Sequence, residues 1–89
     1  MKGYRILVFA DNQQQSSKQE ALRREEKVKE LFPEMTTYLS FVSPFWKLRA
    51  GDFSTYDEAN AMLHKMKSKL GEEGKEMYII KENIIIPLN

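Results

Sequence analysis

Eighty-nine residues suffice for one domain, read here as 1–89, in which roughly 60–65% of the unfolded chain's surface can be buried. Hydrophobic residues at 42% and charged residues at 30% are globular values that exclude a disordered segment. Fourteen Lys plus Arg against thirteen Asp plus Glu leave a net charge of +1, and there is no cysteine. This excludes disulfides, thiolate zinc sites and a global attraction to nucleic acid or an anionic membrane, so any electrostatic recognition is confined to a local patch.

In chain order, Tyr4 to Phe9 alternates as a first strand, with Ile6 and Val8 on one face and Arg5, Leu7 and Phe9 on the other. Asp11 to Gln15 is a polar loop. Ser17 and Glu20 have capping-box spacing at the start of a helix with a thin apolar stripe of Ala21, Val28 and Leu31 with Phe32, which Pro33 stops. The rest of that helix is Lys, Arg and Glu, as a solvated face requires. Thr36 to Val42 is rich in β-branched and aromatic residues and reads as a second strand. Ser43-Pro44 turns the chain into a third, Phe45 to Ala50, closed by a tight turn at Gly51. Thr55 with Glu58 repeats the capping box, and Ala59, Met62, Leu63, Met66 and Leu70 then share one helical face before Gly71. Glu72 to Glu76 is a charged loop. Met77 to Ile86 contains the last strand, ended by Pro87.

The order β-α-β-β-α-β is that of an α+β, ferredoxin-like or RNP-like two-layer sandwich, in which two helices cover one face of a four-stranded antiparallel sheet. A weak internal echo agrees with two similar halves: Tyr4 to Val8 and Trp46 to Ala50 share an aromatic–basic–aliphatic opening. The uncovered sheet face is then the natural binding surface. On the third strand Phe45, Lys47 and Arg49 share it, while Trp46, Leu48 and Ala50 face a core.

Little points to catalysis. The one histidine, His64, lies on the second helix beside its apolar stripe with no partner at a useful spacing, as surface histidines do. No phosphate-loop, nucleophile-elbow, zinc-protease or calcium-loop pattern occurs, so neither an enzyme nor a metal or cofactor is expected. The candidate ligand-binding set is Arg5, Leu7 and Phe9 with Phe45, Lys47 and Arg49, brought together if the first and third strands are central neighbours. One reading is that these aromatics patch a small core and the cations keep the sheet soluble. The other is a platform whose rings stack on flat ligand faces while cations bind polar or anionic groups. Single-stranded RNA and glycans are ligands of that shape, but the third strand lacks the RNA-binding consensus and the charge is near neutral.

Four stretches, Tyr4-Arg5-Ile6-Leu7-Val8-Phe9-Ala10, Lys29-Glu30-Leu31-Phe32-Pro33, Ser43 through Phe53 and Tyr78-Ile79-Ile80-Lys81, give the chain a likeness. It resembles the sporulation-related repeat (SPOR) domain over nearly its whole length, most specifically from Ser43 through Gly51-Asp52-Phe53 to Ala59. The resemblance implies a non-catalytic module whose open sheet binds peptidoglycan, preferring glycan strands stripped of stem peptides at division septa. It also implies a bacterial envelope or periplasmic location within a larger exported protein; the start of the chain close to its first strand reads, by itself, only as a module cut from something longer. Phe45 stands where many members have tryptophan, Lys47 where many have arginine, and Leu7 where many have glutamine. The alternatives are a protein–protein adaptor using the same face and, more remotely, an RNA-binding sheet. No signal peptide is seen and no apolar run approaches the roughly 20 residues that span a bilayer, so this segment is not expected to insert in a membrane.

Overall fold

The computed structural model describes residues 1–13 and 15–85. Among these, strands β1 (Lys2–Asp11), β2 (Thr37–Val42), β3 (Phe45–Phe53) and β4 (Tyr78–Asn83) form an antiparallel sheet in the order β2-β3-β1-β4. Helices α1 (Gln15–Leu31) and α2 (Tyr56–Leu70) cover one face, and a short 3-10 turn, Gly71–Gly74, leads into β4. The expected sandwich is the observed one. Ile86 and Pro87, expected to end the last strand, lie outside the described residues.

The covered face holds the core. Ile6 and Val8 from β1 and Leu48 and Ala50 from β3 meet Val28 from α1, Met66 and Leu70 from α2, and Met77. The thin stripe on α1 suffices because only Ser17, Ala21 and Val28 of its residues are fully buried. α2 begins as its cap dictates: the Glu58 amide donates to Thr55 Oγ1 at 3.2 Å, and the Gly71 amide closes the other end on the Lys67 carbonyl. The first capping box does not form. The helix starts two residues earlier, and buried Ser17 accepts from the Gln13 amide at 2.7 Å and donates to Asp11 at 2.9 Å. Its expected partner Glu20 turns instead to Arg23 and Arg24.

Two register shifts decide which side chains reach the open face. On β3, Gly51 and Asp52 together oppose Arg5, because Ile6 pairs with Ala50 while Tyr4 pairs with Phe53. Gly51 has φ 81°, the left-handed conformation that favours glycine, so the strand bulges there and runs on to Phe53 where a terminal turn was expected. The bulge turns Asp52 onto the open face and Phe53 towards the core. On β1, Leu7 pairs with Arg49 but Phe9 pairs with Leu48, so Val8 is the extra residue. Beyond that point the alternation is inverted, and Phe9 faces the helices.

Candidate functional site

Paired residues share a face, so the registers define the open surface row by row. Val42 and Phe45 form the row nearest the β2–β3 turn. Ser40, Lys47 and Ala10 form the next, followed by Tyr38, Arg49, Leu7 and Tyr78 across all four strands. Arg5 and Ile80 follow, with Asp52 beside them and Glu82 reaching in from β4.

The far end of this surface is a closed polar network. Arg5 Nε and Nη2 donate to Asp52 Oδ1 at 3.2 and 2.8 Å, and its Nη1 donates to Glu82 Oε1 at 2.5 Å. The guanidinium lies 4.0 Å from the centre of the Tyr38 ring, whose hydroxyl donates to Asp52 Oδ2. Arg49 Nη1 donates to both Glu82 oxygens at 2.9 and 3.1 Å, and its Nη2 to Ser40 Oγ at 3.2 Å. Its Nε is buried with no partner among the described residues. Two arginines thus face two carboxylates, and the cluster is neutral overall.

Electrostatics follow from this pairing. Burial disfavours charge on Asp52, but hydrogen bonds from Tyr38 and Arg5 outweigh it and hold the carboxyl below the usual range. Burial also opposes the Arg5 charge, and Glu82 and Asp52 overcome it and raise its pKa. The Tyr38 phenol is pushed up by burial and by the neighbouring Asp52 charge.

The end nearest the hairpin is different. Phe45 is 40% exposed, Val42 52% and Tyr78 55%. Lys47 lies between them in none of the ion pairs of the face, which involve Arg5, Arg49, Asp52 and Glu82. Where β4 begins, opposite Leu7, β1 runs on from Val8 to Asp11 paired with β3 but with no partner on the β4 side, and a hollow of about 370 Å³ opens there between Tyr78 and Arg24. A larger groove of about 680 Å³ runs from Tyr38 and Asp52 of the polar network to Leu31, Phe32, Phe53 and Met62 at the end of the helical layer.

The sequence profile of the SPOR domain matches residues 3–77, most of the chain and every element except β4. The chain belongs to the SPOR domain family. Among solved structures, the solution structure of the peptidoglycan binding domain of B. subtilis cell wall lytic enzyme CwlC superposes with a TM-score of 0.60. The two share 18% identity over 93% of this chain and 92% of that one, a likeness of fold. No curated protein matches the chain.

In this SPOR domain the six candidate residues do not act as one set. Phe45 is open to solvent and Lys47 is half-buried beside it. Arg49 is half committed, bonded to Glu82 and Ser40. Arg5 and Leu7 face the right way but are 7% and 9% exposed, so they form the floor. Phe9 must be withdrawn: the β1 bulge turns it onto the helical side, where it packs against the core with the Arg24 guanidinium 4.8 Å from its ring centre. Sequence reasoning missed Tyr38, Ser40 and Tyr78, which simple alternation along their strands would have placed on the face. It also missed Asp52 and Glu82. The face read as rings and cations acquires one carboxylate from the β3 bulge and one from β4.

Proposed function

We propose that this SPOR domain binds peptidoglycan without catalysis through the open face of its sheet, preferring glycan strands freed of stem peptides. The observation behind this reading is the group of two exposed rings, Phe45 and Tyr78, with half-buried Lys47 beside a neutral, self-satisfied floor. Phe45 and Tyr78 lie two strands and four residues apart, about 16 Å between backbones at a strand spacing of ~4.8 Å and a rise of ~3.3 Å. That separation suits a chain of several sugars, whose apolar faces stack on rings and whose hydroxyls meet Ser40 and the exposed end of Arg49. A stem peptide is joined by an amide to the lactyl carboxyl of the sugar, and its removal leaves a carboxylate. Lys47, unpaired within the face, is suited to meet that charge.

The family and the similar structure support this reading: the CwlC domain is named for peptidoglycan binding. A wall ligand puts the domain in the bacterial cell envelope as a module of a larger exported protein. No helix among the described residues is long and apolar enough to cross a membrane. Neutralisation of Arg5 and Arg49 disfavours RNA, which needs cations free to meet phosphates.

Co-sedimentation of the chain with purified sacculi, before and after amidase treatment, tests the reading. Recovery should rise with sacculi and rise further once stem peptides are removed. Pelleting that is the same with and without sacculi overturns wall binding and, with the fold intact, favours the protein adaptor. Equal binding to treated and untreated sacculi overturns only the preference.

A further inference from the structure

The glycan reading uses one face of the β2–β3 hairpin and leaves its other face unexplained. On that helical side, Phe41 is 52% exposed and its ring lies 5.2 Å from that of Trp46, centre to centre. Neither helix covers Phe41, and Trp46 beside it is half-buried. Gln15 and Lys18, at the start of α1, border a small cleft of about 230 Å³ over it, with Lys18 Nζ 5.6 Å from the Trp46 ring centre. The hairpin tip therefore shows apolar side chains on both faces: Phe41 and Trp46 on one, Val42 and Phe45 on the other, joined by exposed Ser43 and Pro44.

Two-sided exposure limits the occupant. A flat partner surface, protein or glycan, buries one face of such a tip and leaves the other wet. A medium that surrounds the tip buries both. The amphipathic ring of Trp46 is suited to the boundary between water and hydrocarbon. From Ser40 to Lys47 the tip contains no acidic residue. Lys18 and Lys47 flank its base on opposite faces, placed for headgroups while the tip points past them. The nearby carboxylate is Asp11, opposite Trp46, and it is engaged by the Ser17 hydroxyl.

We infer that the β2–β3 hairpin tip, Phe41–Trp46, dips into the interface of an anionic lipid surface and orients the domain beside a membrane. This goes beyond the glycan reading and shares only Phe45 and Lys47 with it. The expectation that this segment does not enter a membrane came from the lack of a spanning run. A six-residue hairpin tip needs no such run to reach the interface.

Trp46 is the chain's one tryptophan, so its emission reports directly on the tip. The chain is titrated with vesicles of phosphatidylcholine alone and of phosphatidylcholine mixed with phosphatidylglycerol. Anionic vesicles should shift Trp46 emission to the blue and shield it from acrylamide. Zwitterionic vesicles should do so more weakly. Phe41→Ser should lower vesicle affinity about tenfold, from the lost apolar burial. Its binding to sacculi should stay unchanged, because Phe41 is not on the glycan face. Val42→Ser, at an equally exposed position, should lower vesicle affinity comparably and guards against misfolding of the first variant, with melting curves reported for both. Absence of any shift with either vesicle overturns the inference, as does vesicle binding that both variants retain. Concentration-dependent self-association that Phe41→Ser abolishes would overturn it in favour of a second copy as the occupant. Loss of sacculus binding alone would overturn the glycan reading and leave the membrane one standing.

Discussion

Arg5 is the residue whose assigned role changes most, and its replacement separates floor from ligand contact. Arg5→Met keeps the apolar stem and removes the charge. Asp52 is then left with the Tyr38 hydroxyl and a distant Ile85 amide, and Glu82 with Arg49 alone. The side chains of Arg5 and Asp52 are 9% and 13% exposed, a largely desolvated pair. Removing one partner of such a pair costs about 3–5 kcal/mol, chiefly because the other charge stays buried. A domain of this length has a total stability of about 4–13 kcal/mol at ~0.05–0.15 kcal/mol per residue, so the variant should sit near the edge of folding. With a slope of about 1 kcal/mol/M, the urea midpoint should fall by roughly 3 M or more. Arg5→Lys keeps the charge but reaches one carboxylate at a time and loses the planar stack on Tyr38, for about 1–2 kcal/mol. Arg5→Met, Asp52→Asn and the double variant close a cycle in which the two losses should not add. If Arg5→Met unfolds at the wild-type midpoint yet no longer binds sacculi, Arg5 is a ligand contact and the floor argument is wrong.

Stability should fall on both sides of neutrality. The Asp52 pKa is depressed on folding, so its contribution is complete above its unfolded value near 3.8 and disappears as pH drops through the folded value; Asp52→Asn should flatten this acid limb. The Tyr38 pKa is raised, so its contribution is complete below 10.0 and is lost as pH climbs through the folded value, a limb that Tyr38→Phe should flatten in pH-dependent urea melts. Trp46→Ala should cost about 1.5–3 kcal/mol, below the ~3–5 of a core aromatic, since the ring is only partly covered. Phe45→Ala should leave the melting temperature within a degree or two and weaken sacculus binding; the opposite pattern in this pair would refute the face assignment. Leu7→Gln should be tolerated, because the new side-chain carbonyl would lie across the strand pair from the unpartnered Arg49 Nε–H. A melting temperature at or above wild type checks this, and a loss as large as that of Leu7→Ala would refute it.

The architecture was legible because local signals and global pattern agree. Thr55, through its hydroxyl, and Pro33 and Gly71, through their backbones, punctuate the helices, and the alternation from Phe45 to Ala50 survives intact in the sheet. What could not be read is what depends on a partner strand. A bulge shifts parity by one, so every side chain beyond it changes face. Gly51, an isolated glycine within a strand pattern, was a usable signal for the first bulge, and taking it for a turn cost Asp52 its place in the site. Nothing in Leu7-Val8-Phe9 announces the second, and Phe9 was misplaced in consequence. Glu82 is 77 residues from the arginine it binds and is brought there only by β4 pairing with β1.

These long-range effects explain why a face that reads as strongly cationic is not. Three basic residues on two adjacent strands suggest an anion site, yet the fold supplies two carboxylates and, among the described residues, leaves Lys47 without an ion-pair partner in the face. The division has a physical consequence for recognition. A neutral network held by charge-assisted bonds keeps the floor fixed before any ligand arrives, so little side-chain order is lost there on binding. On the proposed wall-binding reading, selectivity is then left to the hairpin end of the face, with two rings to set the spacing and one lysine to set the charge. Lys47 should therefore govern discrimination between wall strands with and without a free carboxylate, while Phe45 and Tyr78 govern affinity for both. The measurable form of this division is a Lys47→Gln variant that binds amidase-treated and untreated sacculi alike, at an affinity reduced about five- to tenfold for the treated material only, as a partly exposed charge-assisted bond of ~1–1.5 kcal/mol requires. A uniform loss on both would assign Lys47 to the general platform instead.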